Sequence, residues 1–187
     1  MSSANFEYDL SAMRSYYKGG LTRMYEFRKK QLQLLKHVLV KHEKEIYDAL
    51  YSDLKKSPEE SYATEFGLIL TDINSALKNL HKWMKPKHTG VDLVNLPSSG
   101  KIYHDPLGVV LVISPWNYPL QLLLIPLIGA IAGGNCVMLK PSEFAPATSA
   151  IAEKMIKEVF PKEYIHIVQG NGAELIPAMM QSFRFDH

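Results

Sequence analysis

An α/β fold, with helices in front of a doubly wound parallel sheet, is predicted by three features of this 187-residue sequence. Leu107-Gly-Val-Val-Leu-Val-Ile113 is a short, continuously apolar run rich in Val and Ile, the pattern of a strand covered on both faces. An apolar segment, Leu120 to Ala132, follows it, and after Gly133-Gly134-Asn135 comes a second short run, Cys136 to Leu139. An amphipathic segment from Pro146 and a third apolar run, Ile165 to Val168, continue the alternation of strand and helix that marks this class.

Everything from Met1 to about Lys87 reads as helical. Gly19-Gly20 separates a short first helix from a second, roughly Arg23 to Val40, with Met24, Phe27, Leu34, Leu35 and Val38 on one apolar stripe. A third helix, Glu43 to Leu54, carries Ile46, Leu50 and Leu54 at helical spacing. Ser57-Pro58-Glu59-Glu60 then supplies Ser at the N-cap, Pro at the first helical position and Glu at the third, a capping box. The long helix it opens is expected to bury Tyr62, Phe66, Ile69, Ile73, Leu77, Leu80 and Met84, with Trp83 near the same stripe as a core or interface residue. Between Pro86 and Pro106 the period changes to alternation around Val91, Leu93 and Lys101-Ile102-Tyr103-His104, as in two short strands joined by a Pro/Gly/Ser turn. Past Glu143, Pro146 opens a helix with Ile151, Met155, Ile156 and Val159 apolar, and Pro161 stops it. After the third strand, Gln169-Gly170-Asn171-Gly172 turns into a helix from about Ala173 to Gln181.

Composition narrows the function classes. At 47% hydrophobic and 21% charged the chain can bury an ordinary core, and a net charge of +2 provides no dedicated nucleic-acid surface. Its densest basic cluster, His81, Lys82, Lys85, Lys87 and His88, closes a predicted helix, where cations suit the negative end of the dipole. One cysteine allows no internal disulfide, so a reducing, cytoplasmic setting is expected. Met1 to Leu10 carries Glu7 and Asp9 without an apolar core segment and does not read as a secretory signal. No charge falls between Leu107 and Leu139, yet Pro115, Asn117, Pro119, Gln121, Pro126 and Gly133-Gly134-Asn135 leave no uninterrupted run near the ~18 residues of a membrane span. A buried α/β core is the expectation.

The polar residues of this core gather at strand ends. Asn117 lies at the carboxyl end of the first strand, where open α/β sheets bind ligands, and the second strand delivers Lys140, Ser142 and Glu143 to the same edge. An amide there can donate to an oxygen that becomes negative, although a structural Asx turn is the plainer reading of Asn117 taken alone. Lys140 and Glu143 taken alone could be a surface ion pair of little energetic value. Gly170-Asn171-Gly172 sits between strand and helix, but Leu175 occupies the place of the third glycine of a dinucleotide fingerprint, which leaves it a weak phosphate cradle. Cys136 opens a predicted buried strand with no neighbour to lower its pKa and reads as a small core residue.

The elbow Ser114-Pro115-Trp116-Asn117-Tyr118-Pro119, followed by Gly134-Asn135-Cys136-Val137-Met138-Leu139-Lys140-Pro141-Ser142-Glu143, resembles the cofactor domain of the aldehyde dehydrogenase superfamily. His104-Asp105-Pro106-Leu107-Gly108-Val109-Val110 and Phe185-Asp186-His187 are similar to its dimeric class-three branch. The resemblance covers essentially the whole chain, which is less than half of the family's usual length. It implies an NAD(P)-dependent enzyme in which a cysteine thiolate attacks an aldehyde, hydride passes to nicotinamide, and activated water releases the carboxylic acid. Asn117 would steady the oxyanion. Ile113, Ser114, Pro115, Trp116, Lys140, Ser142, Glu143, Gly170 and Gly172 would bind the cofactor, with Lys140 and Glu143 at the adenosine ribose and the glycine loop lining the adenine pocket. A fixed carboxylate disfavours a 2′-phosphate, so NAD is expected before NADP. No metal is implied, and the partners expected are an aldehyde and a second copy of the chain. The organisation that follows is a helical region of the cofactor domain over 1–88, a hairpin of the oligomerisation region over 89–105 and an incomplete NAD-binding core over 106–187. The family's nucleophilic cysteine and general-base glutamate belong to a motif beyond these residues. The competing expectation is a non-catalytic nucleotide-binding or subunit-interacting module on the same fold.

Overall fold

The structure, a computed structural model, describes residues 3–182 and 184–187. Met1 and Ser2, with which the expected helical region begins, lie outside the described residues.

The N-terminal half is a layer of helices: α1 (Ser3–Lys18), α2 (Tyr25–Lys41), α3 (Glu43–Leu54), α4 (Pro58–Ser61) and α5 (Gly67–Met84). The first helix is not short. It runs for 16 residues, because Leu10 and Met13 reach the core and hold it against the sheet. In α2 the buried face passes through Arg28, Gln31, Leu32, Leu35, Val38 and Leu39; Leu35 and Val38 of the expected stripe are in it, and Phe27 and Leu34 flank it. Met24 is its exposed N-cap, and the helix is wedged between α5 and the sheet-covering helices, so polar residues are buried as well. The third helix has the expected bounds and buries Ile46, Ala49 and Leu50.

Ser57 caps α4 as predicted, its Oγ accepting from Glu60 N at 3.2 Å, but the return bond of the box is not made, and Ser57 Oγ donates instead to Glu59 at 2.8 Å. Between α4 and α5 the helix widens into a π turn, Tyr62–Phe66. The extra residue rotates the face that follows: Glu65 and Phe66 turn inward, whereas Tyr62, expected in the core, is 52% exposed. Gly67 N donates to Tyr62 O across this turn, and a Cβ on Gly67 would lie 2.8 Å from that oxygen, so the turn needs glycine. Beyond it Ile69, Ile73, Ala76 and Leu80 face the core, Leu77 and Met84 flank it, and Trp83 is half-exposed at the rim.

The excursion is an antiparallel pair, β1 (Lys87–Thr89) and β2 (Gly100–Ile102), with Lys87 opposite Ile102. Val91 and Leu93, where alternation suggested a strand, lie in the connection, which carries Leu93, Val94 and Leu96 exposed on no underlying core. The main sheet is β3 (Val109–Ile113), β4 (Cys136–Lys140) and β5 (Ile165–Ile167), parallel throughout and in that spatial order, with α6 (Gln121–Gly133), α7 (Pro146–Val159) and α8 (Gly172–Ser182) as its helices. Register places Ile113 beside Lys140 and Leu139 beside Ile167. α6 and α7 are backed by α2, α3 and α5, while α1 and α8 meet each other, and α1 touches β3 and β4. Residues 186 and 187 run along the free edge of β3, with Asp186 N on Val109 O and Leu111 N on His187 O, both at 2.9 Å.

Two polar devices tie the layers together. Arg28, 5% exposed, donates to Thr22 O at 2.8 Å and Ala132 O at 2.9 Å, fixing α2 to the end of α6. There Gly134 ends α6 with φ +84°, and a Cβ would lie 2.4 Å from the guanidinium. The second device joins α3 to α7: His42 bridges Glu45 and Glu158 at 2.8 Å each, Lys41 meets Glu158 at 2.5 Å, and Lys154 meets Glu45 at 2.7 Å. Among the described residues no helix is long and apolar enough to cross a membrane.

Candidate functional site: two elbows on one sheet edge

The first elbow leaves β3 at Ile113 and is joined to the second at once, since Ser114 N donates to Lys140 O at 3.1 Å. Ser114 is buried, and its Oγ meets no protein partner among the described residues. Pro115, Trp116, Asn117 and Tyr118 stand exposed beyond it, Trp116 at 54%. α6 then starts without a cap of its own, because Leu120 has no polar side chain to offer the first amides. The acceptor comes from the π turn. Glu65, fully buried, takes Leu120 N at 2.9 Å and Gln121 N at 3.1 Å on one carboxylate oxygen. Its other oxygen accepts Lys56 Nζ at 2.6 Å; Lys56 also donates to the Asn117 carbonyl at 3.3 Å and lies 4.2 Å from the centre of the Tyr118 ring.

The second elbow leaves β4 at Lys140. That side chain is 2% exposed and is bonded to Glu143, which also accepts Gly172 N at 2.7 Å on its second oxygen. A Cβ on Gly172 would sit 3.0 Å from that oxygen, so the glycine lets the third loop close on the carboxylate. The Lys140 ammonium, together with the Gly172 amide, lowers the Glu143 pKa to about 2, and the group is a carboxylate at every physiological pH. Both oxygens keep lone pairs for a further donor. Ser142 Oγ accepts Phe144 N at 3.3 Å, and Ser142 O accepts Ser149 Oγ at 2.8 Å. α7 also lacks a cap of its own at Ala145. Asp53 supplies one, accepting Ala147 N at 3.1 Å, Thr148 N at 2.7 Å and Thr148 Oγ1 at 2.8 Å.

Ser142, Glu143, Pro146, Ser149, Gln169 and Gly170 line an open pocket of about 330 Å³ between the second and third strand ends, at the lower end of the size range of small-molecule sites. Of the residues expected at a cofactor, Lys140, Ser142, Glu143, Gly170 and Gly172 are thus brought together, and Ser114 touches them through Lys140 O. Pro115, Trp116 and Asn117 are exposed and do not line that pocket, and Ile113 borders a different cavity of about 800 Å³ with Met180 and Phe185. In the glycine loop, a Cβ on Gly170 would lie 2.7 Å from Leu175 Cδ1, so the leucine closes over the position where a third glycine would open a phosphate cradle. Cys136 is fully buried, and desolvation pushes its thiol up to about 12, far from a reactive thiolate.

A sequence model of the aldehyde dehydrogenase family matches residues 3–187. The chain belongs to the aldehyde dehydrogenase family. It is 46% identical over 175 residues to an aldehyde dehydrogenase of Craterostigma plantagineum, covering 94% of this chain and 36% of that protein. It is 39% identical over 183 residues to aldehyde dehydrogenase family 3 member B1 of Rattus norvegicus, covering 98% and 39%, which agrees with the class-three resemblance. The substrate-bound Staphylococcus aureus AldH superposes with a TM-score of 0.88 at 38% identity, over 90% of this chain and 37% of that one. A betaine aldehyde dehydrogenase variant from the same organism, solved with NAD+, superposes at 0.81 with 27% identity, over 95% and 36%. The chain therefore spans a little over a third of the length of these relatives.

Glu65, Lys56 and Asp53 carry no motif that marks them in the sequence, yet they hold both elbows. The signal the sequence does carry is indirect. Neither Tyr118-Pro119-Leu120 nor Phe144-Ala145-Pro146 contains a capping side chain, so each helix requires an acceptor from elsewhere in the fold.

Proposed function

We propose that this chain is the cofactor-binding portion of an NAD(P)-dependent aldehyde dehydrogenase that oxidises aldehydes to carboxylic acids. The observation that carries the reading is the ionised Glu143, held by Lys140 and Gly172 at the mouth of a pocket on the carboxyl edge of the sheet. Its free lone pairs suit the two hydroxyls of an adenosine ribose, and its charge repels a 2′-phosphate, so NAD is the cofactor the site favours. NAD+ in the betaine aldehyde dehydrogenase relative supports the same reading. Bound there, the cofactor would supply the hydride acceptor, while this chain contributes binding and orientation. Ile113, Ser114, Pro115, Trp116, Ser142, Gly170 and Gly172 are proposed around the cofactor as well. Asn117, exposed on the first elbow, is proposed to donate to the oxyanion formed when a thiolate outside these residues adds to the aldehyde. The proposed division is a helical region over 1–88, a hairpin over 89–105 and an α/β core over 106–187, with the exposed Leu93, Val94 and Leu96 of the hairpin region meeting a second copy in a cytoplasmic homodimer.

The test is Asn117→Ala in the full-length enzyme. Both kcat and kcat/KM are expected to fall about 10²-fold, the effect of one lost oxyanion donor, with NAD affinity unchanged. Unchanged turnover with a lowered melting temperature would reduce Asn117 to a turn residue.

A second reading, a nucleotide-binding module without turnover, is favoured by the burial of Cys136, the only cysteine in the sequence. On either reading these residues alone oxidise no aldehyde. Aldehyde-dependent NADH formation by the purified 187-residue chain, abolished by Cys136→Ser, would contradict that expectation.

A further inference from the structure

We propose that the Glu65–Lys56 pair is a positioning device for the oxyanion elbow, setting the height and direction of Asn117 from outside the sheet. This proposal rests on the catalytic reading of Asn117 given above.

Four observations carry it. Glu65 is fully buried and commits one oxygen to the two amides, Leu120 N at 2.9 Å and Gln121 N at 3.1 Å, that end the elbow and begin α6. Lys56, 7% exposed, neutralises the other oxygen at 2.6 Å and holds the elbow at its middle, through the Asn117 carbonyl at 3.3 Å and the Tyr118 ring at 4.2 Å. The pair thus grips the peptide of Asn117 itself and the helix start three residues on. Third, Glu65 faces the elbow only because the π turn inserts a residue between α4 and α5, and that turn is closed by Gly67, where a Cβ would meet Tyr62 O at 2.8 Å. Such single π turns inside α-helices are rare and occur frequently at functional sites. Fourth, no side chain within the elbow or the first turn of α6 offers the same amides an acceptor, because Leu120 provides no cap and the turn contains no acidic residue.

An oxyanion donor is effective when it is fixed before the charge develops, and displacement by about 1 Å can cost a factor of ~10². The pair supplies that fixity without touching substrate. Lys56 leaves the neighbouring exposed side chain of Asn117 free to face the reacting oxygen, since it bonds the main-chain carbonyl.

The experiment uses the full-length enzyme with Glu65→Gln, which keeps the shape and one acceptor but removes the charge. Because an unpaired Lys56 could impair folding, Lys56→Gln/Glu65→Gln, which removes both charges, is measured beside it. Expected for whichever variant is folded are a fall in kcat of roughly tenfold or more, an unchanged NAD dissociation constant, and faster hydrogen exchange at Leu120 and Gln121. The deciding measurement is the double-mutant cycle with Asn117→Ala. A residue acting through Asn117 has little left to lose in that background, so the pair's substitution is expected to cost less than about twofold there. Equal losses in both backgrounds, or normal turnover with unchanged exchange at Leu120 and Gln121, overturn the proposal. Normal turnover in Asn117→Ala alone overturns the catalytic reading instead, and exchange at the two amides then still reports whether the pair fixes the elbow. If neither charge-removing variant folds, Gly67→Ala, which disturbs the π turn without creating a buried charge, replaces them in the same cycle under the same criteria.

Discussion

On the cofactor reading proposed above, Glu143 is the residue on which the choice between NAD and NADP would turn, because Lys140 and Gly172 hold it ionised. Its pKa is depressed to about 2 from an ordinary value of 4.5, so its charge does not change between pH 5 and pH 9. NAD affinity of the full-length enzyme is therefore expected to show no inflection from this group over that range, which titration calorimetry at several pH values would check. Glu143→Gln removes the charge but keeps an acceptor, and is expected to weaken NAD more than NADP; equal losses in the two dissociation constants would remove Glu143 from the ribose. Lys140 would then be a nearly unexposed ammonium missing its carboxylate, so the variant's melting temperature is expected to fall too. Cys136 is the opposite case, a reactive residue type silenced by burial. With its thiol pushed up to about 12 and no exposed surface, iodoacetamide is expected to label it only as fast as the protein opens. Labelling in the native state at the rate of a free thiol would contradict that.

At the scale of elements, helices α6 and α7 share one construction. Each follows a strand and a polar elbow, begins with no cap of its own, and takes its acceptor from a carboxylate of the N-terminal layer, Glu65 for α6 and Asp53 for α7. Asp53→Ala leaves the first amides of α7 without an acceptor and is expected to lower stability by about 1–2 kcal/mol, read from chemical denaturation. Asp53→Asn, which keeps an oxygen acceptor, is expected to lose less. The elements themselves were largely legible. Short, mostly apolar runs bounded by Gly and Pro marked all three parallel strands and the helices between them, and Ser57-Pro58 marked its helix start to the residue. What sequence periodicity could not supply was phase. A single π turn moved Tyr62 out and Glu65 in, and no residue pattern announces an extra residue inside a helix. In α2, Arg28 is buried with a hydrogen bond to Ala132 O on another element, and Gln31 is buried as well, information that lies outside any local window of about 18 residues. Lys140 and Glu143 were readable as a candidate site because they flank a strand end, whereas Lys56 lies in a connection between helices and Glu65 inside a helical turn, with nothing local to mark either.

At the scale of the whole molecule, charged side chains tie α3 and the end of α2 to α7 across more than a hundred residues of sequence. Glu158 joins Lys41 and His42, and these partners depress its pKa to about 2; Lys154 and His42 lower that of Glu45. Carboxyls depressed in the folded state favour folding above their unfolded value and lose that contribution as pH falls, here from 4.5 down towards 2. The melting temperature is thus expected to decline across that acid window, and Glu158→Gln is expected to flatten the decline while lowering stability at neutral pH. An acid limb unchanged by Glu158→Gln would assign the acid sensitivity elsewhere. The two borrowed caps also bear on how the protein is made. During synthesis α1 to α5 leave the ribosome first, carrying Asp53 and Glu65 with nothing to cap, because their amides lie 95 and 55 residues downstream. Until β3, β4 and the helices that follow them have emerged, the helical layer has its apolar faces formed but its docking points empty. The nascent chain is expected to be protease-sensitive through that interval and to become resistant over a narrow range of lengths, when the second elbow clears the exit tunnel and both carboxylates find their helices.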